Sequence, residues 1–565
     1  MTLQGFLGFA LFFLVLTILA VPAGRYMHRV FELGPSLLDR VMGPLERAVF
    51  RICGIDETKG MNWRQYLIAF LLSNLVMAIP VYLILMFQQD LPLNPAHLGP
   101  VAPTTLFNTV ASFVTNTNWQ IYSPEQTLSN LSEFALEFLQ FATPAGGLVV
   151  AVAFVRGFVA GRTDLGNYYR DLVRAITRIF LPISFVAAIF LIALGVPDTL
   201  AGPAVAHTVQ GAVQVIARAP VAAFEAIKEL GTNGGGILNV NSSHPFENPN
   251  AVTNLIEELL MALLPTGLVF TFGEYIQNRR QAWILYSVTM VLMWALLLVV
   301  YSSEAAGNPL VHHLLGVGGP NWEGKDTRFG MAGSSLFATL TTAYTTGAVN
   351  TMHDSLMPLG GLVALFQMML NTVFGGKGAG LLNILMFVIL SVFVTGLMVG
   401  RTPELFGKKI ETKEVAAAGA AMLIHPFVIL GATALALATA AGRAGILNPG
   451  FHGISEVVYA FASSAANNGS AFAGLNASSP FYAVATGIVI LIGRYLSMAL
   501  MLYIAGSLLA KKTVPASSGT LRTDTFTFGW IYLGVVLIIG ALTFFPVLAM
   551  GPIAEHLSML AGRVF

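Results

Sequence analysis

The stretch YTTGAVNTMHDS (344–355) interrupts a strongly apolar chain with threonines, a glycine and an asparagine, followed at once by His and Asp. Similar interruptions stand at TNTNWQ (115–120), GTNGGGILN (231–239) and AANNGSAF (465–472). A hydrophobic core has no use for such loops, so their presence needs its own explanation.

The 565 residues are 55% hydrophobic and only 10% charged, with mean hydropathy +0.73. Soluble globular proteins carry roughly a quarter charged residues, so this chain is solvated mainly by lipid. A net charge of +1 argues against a nucleic-acid partner, which requires a concentrated basic face. The single cysteine, Cys53, excludes an internal disulfide framework and a multi-thiolate metal site. None of the ten histidines falls in an HExxH spacing, and His312–His313 read as loop surface. There is no GxxxxGK[ST] loop, no DKTGT-type phosphorylation sequence and no soluble segment long enough for a nucleotide-binding domain. Energised transport would therefore draw on an ion gradient or on another chain. No catalytic residue and no cofactor is expected.

A bilayer-spanning helix needs about 20 mostly apolar residues. Such runs occur near 5–24, 65–87, 135–160, 177–196, 255–276, 282–302, 379–400, 416–440, 481–508 and 526–549. The first is preceded by MTLQ, without the basic start of a secretory signal, and reads as a retained span. Segments 24–64, 161–178, 277–281, 401–413 and 509–524 hold 20 of the 29 Lys and Arg residues. The alternate connections hold only Arg218, Lys228, Lys325, Arg328 and Arg443. The positive-inside rule makes the first group cytoplasmic, with both termini outside. All four polar interruptions then lie in outward connections.

Asn116, Asn233, Gly347 and Asn468 recur at a spacing of roughly 115–120 residues, which is the mark of an internal repeat. Each unit follows one plan: a span, an outward connection, a short semi-polar stretch, a polar loop and a second span. The short stretches are 104–114, 220–230, 333–344 and 453–465, too short to cross a bilayer and suited to re-entrant helices. Ser, Thr and Gly near their starts offer N-caps, and Glu225 and Glu456 lie where the macrodipole favours an acid. Each helix ends with its partly negative terminus beside a polar loop. Irregular backbone is tolerated at membrane depth only where protein buries it or it lines a water-filled cavity. Four such loops suit a cage of backbone carbonyls around a dehydrated monovalent cation. Glycine turns successive carbonyls inward because it accepts positive φ. No acid occurs inside the loops to hold a divalent ion.

These four motifs, with an extra span at each end, resemble the superfamily of potassium transporters that includes the Trk, Ktr and HKT proteins. More specifically they resemble the potassium-binding A subunits of bacterial Kdp-type ATPases, essentially end to end. The resemblance implies an all-α polytopic membrane protein of four pseudo-symmetric M1–P–M2 repeats around a central pore. The units would be 63–162, 163–277, 278–402 and 403–510, flanked by 1–62 and 511–565. It further implies residence in the bacterial inner membrane and K⁺ as the transported ion. The implied partners are a P-type ATPase subunit that hydrolyses ATP and small accessory membrane subunits. A self-sufficient K⁺ channel or K⁺/H⁺ or K⁺/Na⁺ symporter is the alternative, and a secondary transporter of small organic solutes a second one.

Carried over position by position, the filter comprises Thr115, Asn116 and Thr117; Thr232, Asn233 and Gly234; Thr345, Thr346 and Gly347; and Asn467, Asn468 and Gly469. Backbone carbonyls are expected to supply most ligands, with Asn and Thr side chains as braces. FGGKGAG (374–380) predicts a broken span with Lys377 near mid-membrane. Gly375, Gly376, Lys377 and Gly378 then form either a gate or a loop buried against its neighbours. Arg156 and Arg494 are expected to snorkel to the cytoplasmic interface, or else to face the vestibule or a subunit contact. Arg401, Lys408 and Lys409, in RTPELFGKKIETK (401–413), are candidates for partner docking or simply for setting topology. His353 and Asp354 are expected to brace the pore mouth.

Overall fold

A computed structural model describes residues 2–32, 34, 38–400, 403–514 and 520–563. Among them, ten helices are long and apolar enough to span a membrane: Leu3–Phe31, Trp63–Met86, Asn130–Arg156, Tyr168–Ala193, Ala251–Tyr275, Arg279–Leu315, Ala379–Met398, Thr412–Ala438, Pro480–Leu509 and Phe526–Leu560. Each coincides with an expected span. The protein is an all-α polytopic membrane protein, interrupted among the described residues by two small hairpins, Ala204–His207 with Val213–Ile216 and Glu404–Leu405 with Lys408–Lys409.

Burial separates inner from outer helices. The most apolar window of Asn130–Arg156 is 89% buried and that of Ala251–Tyr275 is 78%, against 22% for Trp63–Met86. The outer Leu3–Phe31 helix shows why. Leu3, Leu7, Leu11, Leu14 and Ile18 are exposed on one stripe, while Phe9, Phe12, Leu16 and Ala20 are buried on the other. Without an aqueous phase to avoid, apolar side chains serve equally on either stripe, and contact is governed by packing. Gly24 illustrates this, since a Cβ there would strike the Gly267 carbonyl.

Among the helices too short to span are Pro103–Val114, Val221–Leu230, Gly330–Ala343 and Gly450–Ala466. They occupy the expected re-entrant stretches, but their N-termini differ from expectation. The N-cap positions are Ala102, Pro220, Phe329 and Pro449, and none makes a side-chain capping bond. The span before residue 400 is broken as predicted. Pro358–Leu370 ends at Asn371 in the left-handed region, and helix resumes at Ala379 after positive φ at Phe374, Gly375 and Gly378.

Candidate functional site

The four short helices end in one recurring turn. A backbone N–H donates to the carbonyl five residues earlier: Thr117 to Ser112, Asn233 to Lys228, Thr346 to Thr341, and Asn468 to Ser463, each at 2.9 Å. The residue before each donor is left-handed, with φ of 67° at Asn116, 41° at Thr232, 45° at Thr345 and 55° at Asn467. The residue after it is left-handed too: Asn118, Gly234, Gly347 and Gly469. Such alternation turns consecutive carbonyls to a common side, and it is strained for any residue but glycine and, more mildly, asparagine.

The loops close on one another. A Cβ at Gly234 would strike the Thr346 carbonyl oxygen, one at Gly347 the Asn468 carbonyl, and one at Gly469 the Thr117 carbonyl. Gly235 abuts Asn118 and completes the circuit. The carbonyls so approached belong to the equivalent donor residues of the neighbouring loops, which makes a ring. This geometry shifts the first loop by one place. Its counterpart of Thr232–Asn233–Gly234 is Asn116–Thr117–Asn118, whereas Thr115 is the helix C-cap and returns its hydroxyl to the Ala111 carbonyl. The shift was invisible in sequence because Asn118 stands where the other loops carry glycine.

Side chains brace this ring. Asn116 Nδ2 donates to the carbonyls of Gly231 (3.2 Å) and Thr232 (3.1 Å). Asn233 donates to Gln140 O (3.0 Å), Asn468 to Thr341 O (2.9 Å) and Asn467 to Thr117 Oγ1 (2.9 Å). Hydroxyls from the short helices accept from the loop glycines, Thr341 from Gly347 N and Ser463 from Gly469 N, both at 3.0 Å. His353, beyond the third loop, pairs through Nδ1 with Tyr459 (2.7 Å), and burial drives its pKa down to about 3. Asp354 accepts from His452 Nε2 (3.0 Å), whose Nδ1 meets Glu555 (2.9 Å). Burial opposes the charge on His452, but the two carboxylates outweigh it and push its pKa up to about 10.

The broken span lies against this ring. The N–H of Gly375 donates to Ala343 O (3.0 Å), a Cβ on Gly376 would meet Thr345 Oγ1, and one on Gly378 would meet Gly147 O. Lys377 is 1% exposed and its Nζ has no hydrogen-bond partner among the described residues, lying 5.9 Å from the centre of the Phe180 ring. Arg494 neighbours this loop across Gly147 and donates to Thr143 O (3.3 Å). It is 4% exposed, so it does not snorkel.

Arg156 does not snorkel either. It is fully buried, pairing with Asp171 and with Glu32 (3.3 Å) and donating to the carbonyls of Leu165 and Phe31. In the basic loop, Arg401 lies outside the described residues. Lys408 is 3% exposed and donates to Lys511 O (2.6 Å), so only Lys409 of the adjacent pair is presented outward.

Sequence reasoning missed a buried ionic group behind the second loop. Lys228 Nζ contacts Glu225 (2.6 Å), Glu247 (2.8 Å), Asn241 Oδ1 (3.0 Å) and Ser242 Oγ (3.0 Å). Glu225 thus answers a lysine rather than a helix terminus. Asn241 in turn donates to Gly234 O (2.7 Å), tying the network to the ring. The signal was present as FEAIKEL (224–230), three charged residues within five positions of a chain poor in charge.

The site is a ring of neutral backbone oxygens on irregular backbone within a membrane protein, an arrangement chemically able to replace the hydration shell of a cation. In fold the chain is similar to the crystal structure of the potassium transporter TrkH from Vibrio parahaemolyticus, with a TM-score of 0.54 over 87% of this chain and 97% of that one, at 15% identity. The chain belongs to the family of potassium-transporting ATPase A subunits, whose profile matches residues 10–557. A relative from Alicyclobacillus acidocaldarius, a potassium-transporting ATPase potassium-binding subunit, is 56% identical over 561 residues, covering 99% of this chain and 100% of that one.

Proposed function

We propose that this chain is the potassium-selecting and translocating subunit of an ATP-driven K⁺ uptake complex. The observation that carries this reading is the closed ring, in which Gly234, Gly347 and Gly469 each lie against a carbonyl of the next loop. The filter comprises Asn116–Thr117–Asn118, Thr232–Asn233–Gly234, Thr345–Thr346–Gly347 and Asn467–Asn468–Gly469, with Thr115 as a supporting cap. Carbonyl oxygens replace the hydration shell of K⁺, and asparagine side chains fix the spacing from outside the ring.

The recurring turn supports four M1–P–M2 units, 63–162, 163–277, 278–402 and 403–510, around one pore. The protein sits in the bacterial inner membrane with both termini outward, as the distribution of Lys and Arg favours. Below the filter, Gly375, Gly376, Lys377 and Gly378 form a gate. Lys377, with Arg494 beside the loop, repels a cation that has left the ring, and a low-dielectric setting strengthens that repulsion. This chain hydrolyses nothing. ATP is hydrolysed by a P-type ATPase subunit, small accessory membrane subunits complete the complex, and Lys409 on the cytoplasmic face is available to a partner.

ATP hydrolysis by the gently solubilised complex, purified through this chain and titrated with K⁺ and then Na⁺, tests the reading. K⁺-stimulated hydrolysis that is lost in Gly234→Asp is the expected result. Unchanged ion preference in both Gly234→Asp and Gly347→Asp would overturn the filter. If no ATPase co-purifies and the chain alone passes K⁺ in liposomes, the channel or symporter reading replaces the pump.

A further inference from the structure

Above the filter, the structure gathers Asp354, His452 and Glu456 so that one donor atom from each lies within 4.8 Å of the others. Every remaining donor in the group is already held from behind. His452 Nδ1 is engaged by Glu555 at 2.9 Å. Asn448 Nδ2 donates to Asp354 Oδ2 (3.3 Å) and to Glu456 Oε1 (2.5 Å). That leaves His452 Nε2, Asp354 Oδ1 and Glu456 Oε2. The first two stand 3.0 Å apart. Among the described residues Glu456 Oε2 has no hydrogen-bond partner although its residue is 0% exposed, an expensive arrangement for a carboxylate.

We propose that Asp354, His452 and Glu456 form a site for a divalent transition-metal ion of the zinc type. One imidazole nitrogen and two carboxylate oxygens suit such an ion, whose ligands lie about 2.0–2.2 Å from the metal. Ligands of one zinc are about 3–3.5 Å apart, so the Nε2–Oδ1 pair already has the required separation. Glu555 and Asn448 supply the outer partners that metal-bound histidines and carboxylates ordinarily have. In the metal-free protein a proton on Nε2 fills the metal's place, and metal binding releases it.

Access is open. Asp354, Asn448, His452 and Glu555 line a cavity of about 770 Å³, and Glu456 is buried. The side chains of His452 and Asp354 are 17% and 18% exposed, enough to meet an ion arriving from that cavity. The site also touches the ring. Asp354 adjoins His353, which bonds Tyr459; Tyr459 meets Ser470 Oγ (2.8 Å), and Ser470 bonds Asn468 Oδ1 (2.5 Å) in the fourth loop. A metal here would fasten the exit of the third loop to the helix that carries the fourth and so change the response to K⁺. That consequence rests on the proposed function; the binding itself does not.

Calorimetric titration of the purified complex with Zn²⁺, supported by Co²⁺ absorption spectra, tests the site. One ion per chain is expected, with affinity at least tenfold weaker in His452→Ala and in Glu456→Gln. His312→Ala, on the rim of the same cavity, should bind as the unaltered protein does. Glu456→Gln keeps shape and volume, so it carries the test if His452→Ala does not assemble. No saturable Zn²⁺ binding, or binding indifferent to both variants, would overturn the proposal and leave a hydrogen-bonded brace. Zn²⁺ bound as expected but without any shift in the K⁺ concentration for half-stimulation would remove only the coupling to transport.

Discussion

The α-carbon of Gly469 lies so close to the Thr117 carbonyl oxygen that a single added methyl would collide with it. These two residues close the ring between the last loop and the first. Gly469 also has φ +103°, which side chains rarely adopt, so both space and conformation demand glycine there. Gly469→Ala should raise the K⁺ concentration for half-maximal ATP hydrolysis by at least tenfold, equivalent to about 1.4 kcal/mol of binding. Gly431, beside which a Cβ would meet nothing, should tolerate alanine with a change of less than about twofold, since exposed substitutions away from special features cost little. Equal effects in the two variants would detach the ring from K⁺ selection.

The register of the first loop can be tested separately. Asn118 has φ +52° where the other loops have glycine, so Asn118→Gly relieves strain and should leave apparent K⁺ affinity within about twofold. Asn118→Val places a β-branched side chain in a left-handed position and should abolish K⁺ stimulation. Thr115→Ser retains the capping hydroxyl and should be mild. If Thr115→Ser proves as damaging as Asn118→Val, the filter begins one residue earlier.

Lys377 offers a test of opposite sign. Its ammonium is buried without a hydrogen-bond partner among the described residues, an unfavourable placement that an apolar side chain of similar length would avoid. Lys377→Met should therefore raise the melting temperature of the complex while removing the barrier below the ring. Passive K⁺ flux into proteoliposomes without ATP should rise at least severalfold. A variant that is more stable yet no more leaky would assign Lys377 to packing rather than gating.

Arg156 and Asp171 form an ion pair of which neither side chain is exposed. Removing one member leaves Arg156 with Glu32, or Asp171 with Arg170, as the remaining ion pair, so the cost falls below the about 3–5 kcal/mol of an unpaired buried charge. Asp171→Leu and Arg156→Met should each lower thermal stability, and the double variant Arg156→Met/Asp171→Leu should recover part of the summed loss. Thermal unfolding of the three complexes gives the comparison. Additive losses would show that the two side chains act independently.

How much of this was legible beforehand varies by residue. The ten spans were, because an apolar run near 20 residues has few alternatives in a chain so poor in charge. The short helices and the break at 371–378 were legible too, one through length and polarity and the other through FGGKGAG. The place of Thr115 was not, since TNTN offers two equally plausible triplets until backbone hydrogen bonds choose between them. Arg156 and Arg494 misled for a related reason. A long cationic side chain near a helix end ordinarily reaches water, and only tertiary packing reveals Asp171 and Glu32 waiting for one and the Thr143 carbonyl for the other.

Sequence alone therefore determined which segments are long and apolar enough to span a membrane, which connections gather the basic residues, and the four places where polar loops interrupt the apolar chain. These are local properties, set by hydropathy, charge and glycine. Tertiary structure alone decided which carbonyl faces which glycine, that the ring closes from Gly469 to Thr117, and that Asp354, His452 and Glu456 meet. Such contacts join residues far apart in the chain, and their distances arise from helix packing that no local pattern encodes.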